Sequence, residues 1–264
     1  MCPFSFQHSE MSKLAIILYL AAWFESKGQQ KIKDVFEGLL PFLGIMGLIG
    51  FLIIKQPDMG TLGVVVLTSF SVFFVSGAKL KHLFSMGILG SFLLWLLIKL
   101  EPYRFDRISA FLEPGADPKG IGYQISQALL AIGSGGFWGL GLGHSRQKFN
   151  YLPEPVGDSI FAVIGEELGF IGAIFLIILF VTLAFRGLRI AKNAPDIFGK
   201  LIATGVTMWI ILQAFINIGA NIALVPLTGI PLPFISYGGT SLVFLMAAVG
   251  ILLNISKFTD LEEK

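Results

Sequence analysis

The amino-acid sequence predicts an all-α polytopic membrane protein with about seven transmembrane helices and one large exterior loop. Of its 264 residues, 55% are hydrophobic and only 14% are charged. Soluble domains carry roughly 25% charged residues, so this chain has too few to cover a surface that faces water. Membrane lipid is therefore the expected surroundings, and residues 1–264 are treated as a single membrane domain.

Apolar stretches of membrane-spanning length account for the predicted spans. They are residues 11–24, 39–54, 60–78, 83–98, 168–185, 201–225 and 234–255. The first is short for a span, but it can cross because its polar end lies at the membrane surface. No window of about 20–50 residues repeats, which excludes a repeat array.

The basic residues favour one side of the membrane. In this arrangement three connecting segments and the C-terminal tail lie on the same side, and they carry Lys27, Lys31, Lys33, Lys79, Lys81, Arg186, Arg189, Lys192, Lys200, Lys257 and Lys264. Cytoplasmic loops are enriched in Lys and Arg, so this side is predicted to be cytoplasmic. The loop of about residues 101–159 is then exterior.

The exterior loop contains an apolar, glycine-rich segment at about residues 121–142, which leads into the run GSGGFWGLGLG. The segment has too many glycines for a firm span and is too apolar for a free loop, so a re-entrant or interfacial segment is predicted. Its glycine spacing matches neither a dinucleotide-binding turn nor a P-loop. Close packing of the backbone is therefore expected rather than a nucleotide site.

Several functional classes are disfavoured. A net charge of +2 without a basic, aromatic-rich cluster argues against nucleic-acid binding. His8, His82 and His144 lack metal-ligand spacing, so no metal site is predicted. His144, Ser145 and Asp158 could be imagined as a hydrolase triad, but no nucleophile elbow surrounds Ser145, which favours an ordinary polar loop.

Polar side chains inside the predicted spans form two groups. Glu10 and Lys13 are three residues apart and share a helical face, either as a structural ion pair or as part of the lining of a polar cavity. Gln213, Asn217 and Asn221 recur every four residues as one stripe on an otherwise apolar helix. Such a stripe either binds helices together or lines a cavity, and the residues leave both interpretations open.

The segment VPLTGIPLPFISYGGTSLVF ends one helix with prolines and opens the next with small polar residues. Free N–H groups at that helix start would suit a phosphate. The alternative is simple N-capping by Ser236 or Thr240.

Two exterior carboxylates, Glu154 and Asp158, lie in the stretch YLPEPVGDSIFAVIGEELG. A carboxylate beside apolar residues at the membrane boundary tends to have a raised pKa, which suits a general base. Physical reasoning from the sequence does not choose between the two. Glu166 and Glu167, further along, are expected to anchor or cap the next span.

Five blocks of the sequence, in order, resemble the SEDS family (shape, elongation, division and sporulation) of bacterial membrane glycosyltransferases. They are FQHSEMSKLAIILYLA, KQPDMGTLGV, RFDRISAFLEPGADPKGIGYQISQALLAIGSGG, GLGLGHSRQKFNYLPEPVGDSIFAVIGEELGFIG and LTGIPLPFISYGGTSL. The resemblance runs from about Gln7 to Ile255. The sequences GYQ, AIGSGG and YLPEP are more similar to the FtsW and SpoVE branch of the family than to RodA.

The resemblance implies a peptidoglycan glycosyltransferase of the bacterial cytoplasmic membrane, active in cell division or cell-shape wall synthesis. Such a protein polymerises lipid II into glycan strands on the outer face, beside a class B penicillin-binding protein that cross-links the product. The resemblance also implies that Asp158 is the catalytic carboxylate and that Glu10 and Lys13 line the central cavity. Arg107, Lys148 and a divalent cation such as Mg²⁺ are candidates for offsetting the charge of the departing pyrophosphate.

Two other functions fit a polar cavity among spans: a lipid II flippase, and a non-catalytic scaffold for the penicillin-binding protein. A flippase has no need of an exterior base such as Asp158, whereas a polymerase does. The chain departs from the family pattern at His8, where proline is usual, and at Ser159, where phenylalanine is usual. It also begins at what resembles the fourth of about ten spans, so we expect an N-terminally truncated chain that lacks part of the cavity wall.

Overall fold

The computed structural model describes residues 7–56, 58–117, 120–149 and 151–259, and the regular elements in those ranges are all helical. The α-helices are α1 (His8–Ile32), α2 (Leu40–Ile54), α3 (Met59–Val75), α4 (Leu80–Leu100), α5 (Pro102–Leu112), α6 (Ile121–Gly135), α7 (Ile160–Asn193), α8 (Ile197–Asn221) and α9 (Gly239–Ser256). A π-helical turn (Val35–Leu39) leads directly into α2, and short 3-10 turns occupy Pro114–Ala116 and Gln147–Phe149. The all-α fold class is confirmed.

Five helical segments in the described ranges are long and apolar enough to cross a membrane. They are Val35–Ile54, Leu80–Leu100, Ile160–Asn193, Ile197–Asn221 and Gly239–Ser256. Of the other two predicted spans, α3 is apolar but shorter, and α1 carries several charged residues. The polytopic architecture is therefore confirmed, while the count of seven spans stays a prediction.

Two predicted boundaries were wrong. Helix α7 begins at Ile160 instead of residue 168. Glu166 and Glu167 lie inside the helix, because Arg146 and Lys148 of the preceding loop donate hydrogen bonds to their carboxylates. The last span was predicted from residue 234, whereas α9 begins at Gly239. Residues 226–238 are instead an irregular segment held by side-chain and backbone hydrogen bonds.

The apolar helices differ in how much of their surface the protein itself covers. Only 6% of the apolar window of α4, and 6% of that of α7, is buried, compared with 67% for α8. Exposed apolar surface of this extent requires a non-aqueous neighbour. Helix α8 is therefore the protein-enclosed helix, while α4 and α7 present their side chains to lipid.

The chain divides into two compact units, and each is described separately. Unit 1 contains Met1–Ile88, Thr182–Leu212 and Gly239–Lys264. Its core includes a stack of three buried phenylalanines, in which the ring of Phe73 lies 5.4 Å from Phe24 and 4.6 Å from Phe42. Helix α8 approaches α1 closely at Gly205, where a Cβ atom would crowd the side chain of Ile17. The prediction of a single membrane domain is not tested by this division.

Unit 2 contains Leu89–Val181 and Gln213–Gly238. Helix α6 packs against the start of α7 through a small apolar cluster of Ala128, Ala131, Leu152, Ala162 and Val163. At Gly135 and Gly165 the two backbones are so close that a Cβ on Gly135 would clash with the Gly165 carbonyl. Small residues thus bring α6 against the first turns of α7, immediately after Asp158.

The glycine-rich run packs onto a break in α7. Gly169 has φ 68° and ψ −168°, which interrupts the helical hydrogen bonds and leaves two carbonyls and two N–H groups without helical partners. Four backbone hydrogen bonds from the run satisfy them: Leu140 N–H to Glu166 O (3.0 Å), Gly141 N–H to Glu167 O (3.0 Å), Phe170 N–H to Gly136 O (2.8 Å) and Ile171 N–H to Phe137 O (3.3 Å).

Gly139, with φ 79°, allows this contact because any Cβ would clash with the Glu167 carbonyl. The close backbone packing expected of the run is confirmed. Whether this segment enters the bilayer stays a prediction.

Candidate active site

Asp158 lies in the turn that immediately precedes α7, and it is half-buried. Its main-chain carbonyl accepts hydrogen bonds from the side-chain amides of Asn217 (2.8 Å) and Asn221 (2.9 Å), both near the C-terminal end of α8. The Asn217 amide also donates to the Ile230 carbonyl at 2.8 Å. Two buried amides on one helix therefore hold the backbone of Asp158 in place.

Gln213 extends this pattern one turn earlier on α8, where its amide donates to the Pro231 carbonyl at 2.9 Å. Gln213, Asn217 and Asn221 are each 2% exposed. Unpaired carbonyls in an irregular segment would be costly away from water, and these amides satisfy several of them. The hydrogen bonds of the stripe therefore fasten the 226–238 segment and the Asp158 turn to α8.

Ser236 fastens the same turn from the other side. Its hydroxyl donates to the Gly157 carbonyl at 2.6 Å and accepts from the Leu232 N–H at 2.7 Å. The Tyr237 N–H donates to the Val156 carbonyl at 2.9 Å. The interpretation of Ser236 as an N-cap was wrong, because α9 starts only at Gly239 and the hydroxyl is engaged elsewhere.

The Asp158 carboxylate faces mainly neutral groups. The Nε2 atom of Gln124, on α6, lies 3.5 and 3.4 Å from its two oxygens and 3.1 Å from the Ser159 hydroxyl. A Cβ on Gly229 would lie 3.9 Å from Oδ2, so the 226–238 segment passes beside the carboxylate. Burial raises the pKa of Asp158, and the nearby charge of Glu154 raises it further, while the Gln124 hydrogen bond opposes the shift.

These surroundings distinguish Asp158 from Glu154, which the sequence could not do. Glu154 is exposed and has a φ of 47°, in a turn whose carbonyl accepts from Gly157 and Ser159. A general base needs a partly desolvated carboxylate with a raised pKa that still meets its substrate. Asp158 is half-buried and has a raised pKa, whereas Glu154 is exposed and shapes the turn.

The two basic candidates have different partners. Arg107 on α5 donates to the Leu227 carbonyl at 3.2 Å, lies over the Tyr103 ring and hydrogen bonds to the Tyr103 hydroxyl. Its buried Nε has no partner among the described residues. Lys148 is instead paired with Glu167, with Nζ 2.5 Å from Oε1. Arg107 therefore keeps donor capacity next to the segment that passes Asp158, and the charge of Lys148 is already matched.

Glu166, 1% exposed, lies inside α7 and fastens the loop that precedes this helix. It accepts from the Ser145 hydroxyl (2.5 Å) and from the Arg146 N–H (2.9 Å). The imagined triad finds no support in these contacts, because the Ser145 hydroxyl is committed to Glu166 and His144 Nδ1 lies 3.0 Å from the Leu142 carbonyl.

The Glu10–Lys13 pair lies in unit 1. Lys13 Nζ is 2.7 Å from Glu10 Oε1, and the side chains are 2% and 1% exposed. Ser241 donates to the other Glu10 oxygen at 3.1 Å, and Lys13 Nζ lies 5.2 Å from the centre of the Trp209 ring. Lys13 also borders a small recess with Thr68 and Ser69. The two residues thus form an ion pair, and Lys13 contributes to one wall of the recess.

The parts of the chain that the structure describes contain no preformed site for a divalent cation. No group of three or more His, Cys, Asp or Glu side chains is placed to hold one. Asp158 and Glu154 would supply at most two carboxylates, so the described side chains do not form an all-protein cage for Mg²⁺.

Gln124 is the one contact of the candidate base that sequence analysis missed. It lies 34 residues before Asp158 in the chain, on a helix that had been interpreted as a re-entrant or interfacial segment. The available signal was the first of the two glutamines in GYQISQ, which becomes meaningful only once α6 is known to pack on α7.

Comparison with known proteins agrees with this geometry. The profile of the FtsW/RodA/SpoVE family, described as cell cycle protein, matches residues 1–261. Stage V sporulation protein E of Bacillus subtilis is 47% identical over 256 residues, which cover 97% of this chain and 70% of that protein. The probable peptidoglycan glycosyltransferase FtsW of Nitrosomonas europaea is 44% identical over 254 residues, covering 95% of this chain and 65% of that protein. The chain thus spans about two thirds of the length of these relatives.

Solved structures show the same fold. A peptidoglycan synthase complex that coordinates polymerization and crosslinking contains a chain with a TM-score of 0.75 and 29% identity, matched over 99% of this chain and 73% of that one. RodA, the rod shape determining protein of Thermus thermophilus, gives a TM-score of 0.64 and 29% identity over 99% of this chain and 69% of that one. The resemblance inferred from the five sequence blocks is confirmed. The chain belongs to the FtsW/RodA/SpoVE family, as a multi-pass protein of the bacterial cytoplasmic membrane.

Proposed function

We propose that this chain is a peptidoglycan glycosyltransferase that polymerises lipid II into glycan strands on the outer face of the membrane, with Asp158 as its general base. The observation that carries the proposal is the environment of Asp158. Its backbone is held by two buried amides, while its carboxylate is half-buried, has a raised pKa and has no salt-bridge partner among the described residues.

The reaction joins the 4-hydroxyl of one sugar to the anomeric carbon of another. Asp158 takes the hydroxyl proton as the oxygen–carbon bond forms, and the bond from the anomeric carbon to the lipid pyrophosphate breaks. A sugar hydroxyl is a weak nucleophile, so a positioned base contributes about 10²–10⁴-fold to the rate. The raised pKa makes Asp158 a stronger proton acceptor than an ordinary aspartate, provided that it is ionised at the working pH.

The departing pyrophosphate needs positive charge nearby. Arg107 is the better candidate of the two proposed basic residues, because it bonds to the segment that passes Asp158, whereas Lys148 is already paired with Glu167. A divalent cation would have to arrive on the substrate phosphates, since Mg²⁺ is usually held by one or two carboxylates plus phosphate oxygens. No step of the proposed reaction runs through such a cation.

The proposed partner is a class B penicillin-binding protein. The support is the likeness to a chain of a peptidoglycan synthase complex that coordinates polymerization and crosslinking. A lipid II flippase is less consistent with the site, because transport does not require a partly buried carboxylate with a raised pKa.

The test is Asp158→Asn, which keeps the shape of the side chain and removes the base. The chain is reconstituted in liposomes with its penicillin-binding partner, and polymer formation from labelled lipid II is measured together with lipid II binding. We expect the rate to fall about 10²–10⁴-fold while binding is largely retained.

Glu154→Gln is the matched control, since it removes a neighbouring exposed carboxylate from the same turn. It should change the rate far less than Asp158→Asn. A near wild-type rate for Asp158→Asn would refute the base assignment and favour the transport function.

A further inference from the structure

Gln124 is the side chain that reaches the Asp158 carboxylate from another helix. We propose that it is the positioning residue for Asp158, which fixes the orientation of the carboxylate and stabilises its ionised form. This inference rests on the proposed role of Asp158 as the general base. It adds a residue that acts through Asp158 without touching the reacting sugar atoms.

The geometry of the amide supports this role. The Gln124 Nε2 atom carries two protons. One is directed to the Ser159 hydroxyl at 3.1 Å, and the other is shared between the two Asp158 oxygens at 3.4 and 3.5 Å. Because Ser159 is 1% exposed, its hydroxyl is a fixed second anchor for the amide.

The helix that carries Gln124 is itself well fixed. Ile125 and Ala128, one and four residues after Gln124, are each 1% exposed and belong to two different apolar clusters. One cluster joins α6 to Leu152 and the start of α7, and the other joins it to Ala220 and Leu227. A donor on such a helix cannot swing away without disturbing this packing, which is what preorganisation of a reacting group requires.

The backbone and the carboxylate of Asp158 are held by separate elements. Asn217 and Asn221 bind the main-chain carbonyl from α8, while Gln124 binds the carboxylate from α6. Fixing the carbonyl alone would leave rotation about the side chain. The contact from α6 therefore supplies the orientation that the asparagines do not.

Hydrogen bonds from neutral groups lower the pKa of Asp158 and so oppose the rise that burial causes. The charged groups on the surrounding elements are Glu154 on the same turn, which disfavours the ionised form, and Arg107, which is bonded to Leu227. Gln124 heads the contacts that favour ionisation. Removing its donor should shift Asp158 towards the protonated acid, which cannot accept a proton from the sugar.

The experiment is a pH–rate profile of lipid II polymerisation from about pH 4 to about pH 8 for Gln124→Met. Methionine has nearly the same length but no N–H donor. Since the base acts in its deprotonated form, loss of the donor should move the acid limb of the profile upward by about one pH unit. The rate should return towards wild type on the alkaline side.

Gln124→Glu provides a second variant, and Gln127→Met provides the control. Glutamate at position 124 places a negative charge beside Asp158, so its acid limb should move at least as far as that of Gln124→Met. Gln127 is half-buried on the same helix, and no hydrogen bond from it to Asp158 or Ser159 is found in the described residues. Its variant should keep the wild-type limb, and thermal unfolding should show that all three proteins are folded.

An acid limb for Gln124→Met that coincides with wild type would overturn the proposal. An equal loss of rate at every pH would overturn it too, because that result indicates a substrate contact or a purely structural role. The proposed function fails separately: Asp158→Asn would then retain its rate, whatever Gln124 does. An inactive Asp158→Asn together with an unshifted Gln124→Met would reject only the positioning role.

Discussion

Glu10 in unit 1 and Asp158 in unit 2 are two carboxylates that are held in different ways. In unit 1, Glu10 is almost fully enclosed and neutralised by a lysine one helical turn away, with Ser241 as a further donor. In unit 2, Asp158 is half-buried and is held by amides, one beside its carboxylate and two on its main-chain carbonyl. The first arrangement matches charge with charge, whereas the second fixes position and leaves the charge available.

We expect the first arrangement to be that of a structural carboxylate and the second that of a reactive one. An ion pair in a membrane protein stabilises the charged form of both partners, and losing either one leaves an uncompensated charge. A carboxylate held by neutral donors keeps its capacity to accept a proton. Substitutions in the Glu10–Lys13 pair of unit 1 are therefore expected to lower the stability of the protein. Substitutions that release the backbone of Asp158 in unit 2 are expected to lower the reaction rate.

The most severe way to break the arrangement of unit 2 is Gly139→Ala. Gly139 has φ 79° and lies against the Glu167 carbonyl, so the added methyl group meets both backbone strain and a clash. We expect the protein not to accumulate as a monodisperse species in detergent. Gly143→Ala is the matched control, because Gly143 has φ 82° but nothing lies within 4 Å of its Cβ position.

The control should lose only about 1–2 kcal/mol, the cost of a left-handed conformation for a residue other than glycine. Equal yields and melting temperatures for the two variants would show that the backbone contact with α7 is dispensable.

A smaller loss is expected from breaking the pair in unit 1. Glu10→Gln and Lys13→Met should each lower the free energy of unfolding by about 3–5 kcal/mol, because each leaves a buried charge without its partner. The double variant should recover part of that loss, since no charge is then left unpaired. Denaturant unfolding in detergent measures all three. Additive losses in the double variant would show that the two side chains act independently of each other.

The smallest effect is expected from substitutions in the α8 stripe of Gln213, Asn217 and Asn221, and they test whether the stripe positions Asp158. Asn217→Ala removes a buried amide that donates to the Asp158 carbonyl, whereas Gln213→Ala removes one that donates to the Pro231 carbonyl. Both should cost about 1–2 kcal/mol of stability. Asn217→Ala should also lower the polymerisation rate at least about tenfold, through misplacement of the base.

Gln213→Ala should stay within about twofold of the wild-type rate. The measurement is the rate at saturating lipid II beside the melting temperature. Equal rates for the two variants would mean that fastening the 226–238 segment is all that the stripe does.

Much of this architecture could be predicted because hydrophobic stretches and charge placement are local signals. The spans, the polar stripe of Gln213, Asn217 and Asn221, and the pairing of Glu10 with Lys13 all follow from helical spacing. The start of α7 could not be predicted in this way. Two adjacent glutamates are typical of a loop, and their place inside the helix is explained only by the donors from residues 145–148.

The details of the site depend on contacts between distant parts of the chain. Ser236 lies 79 residues from its acceptor Gly157, and Gln124 lies 34 residues from Asp158. No periodicity within one helix predicts such pairs. The choice between Glu154 and Asp158 likewise required knowledge of burial, which differs between two carboxylates four residues apart.

The break in α7 has a consequence for how the protein is made. Its four interrupted backbone groups are satisfied by residues 136–141, which precede α7 in the chain. During synthesis the exterior segment therefore emerges first and is available when the helix follows it into the membrane. We therefore expect that the polar backbone groups at the break in α7 find their partners as soon as the helix is inserted. In a rearranged gene that placed this segment after α7, those groups would be without partners until the segment had been synthesised.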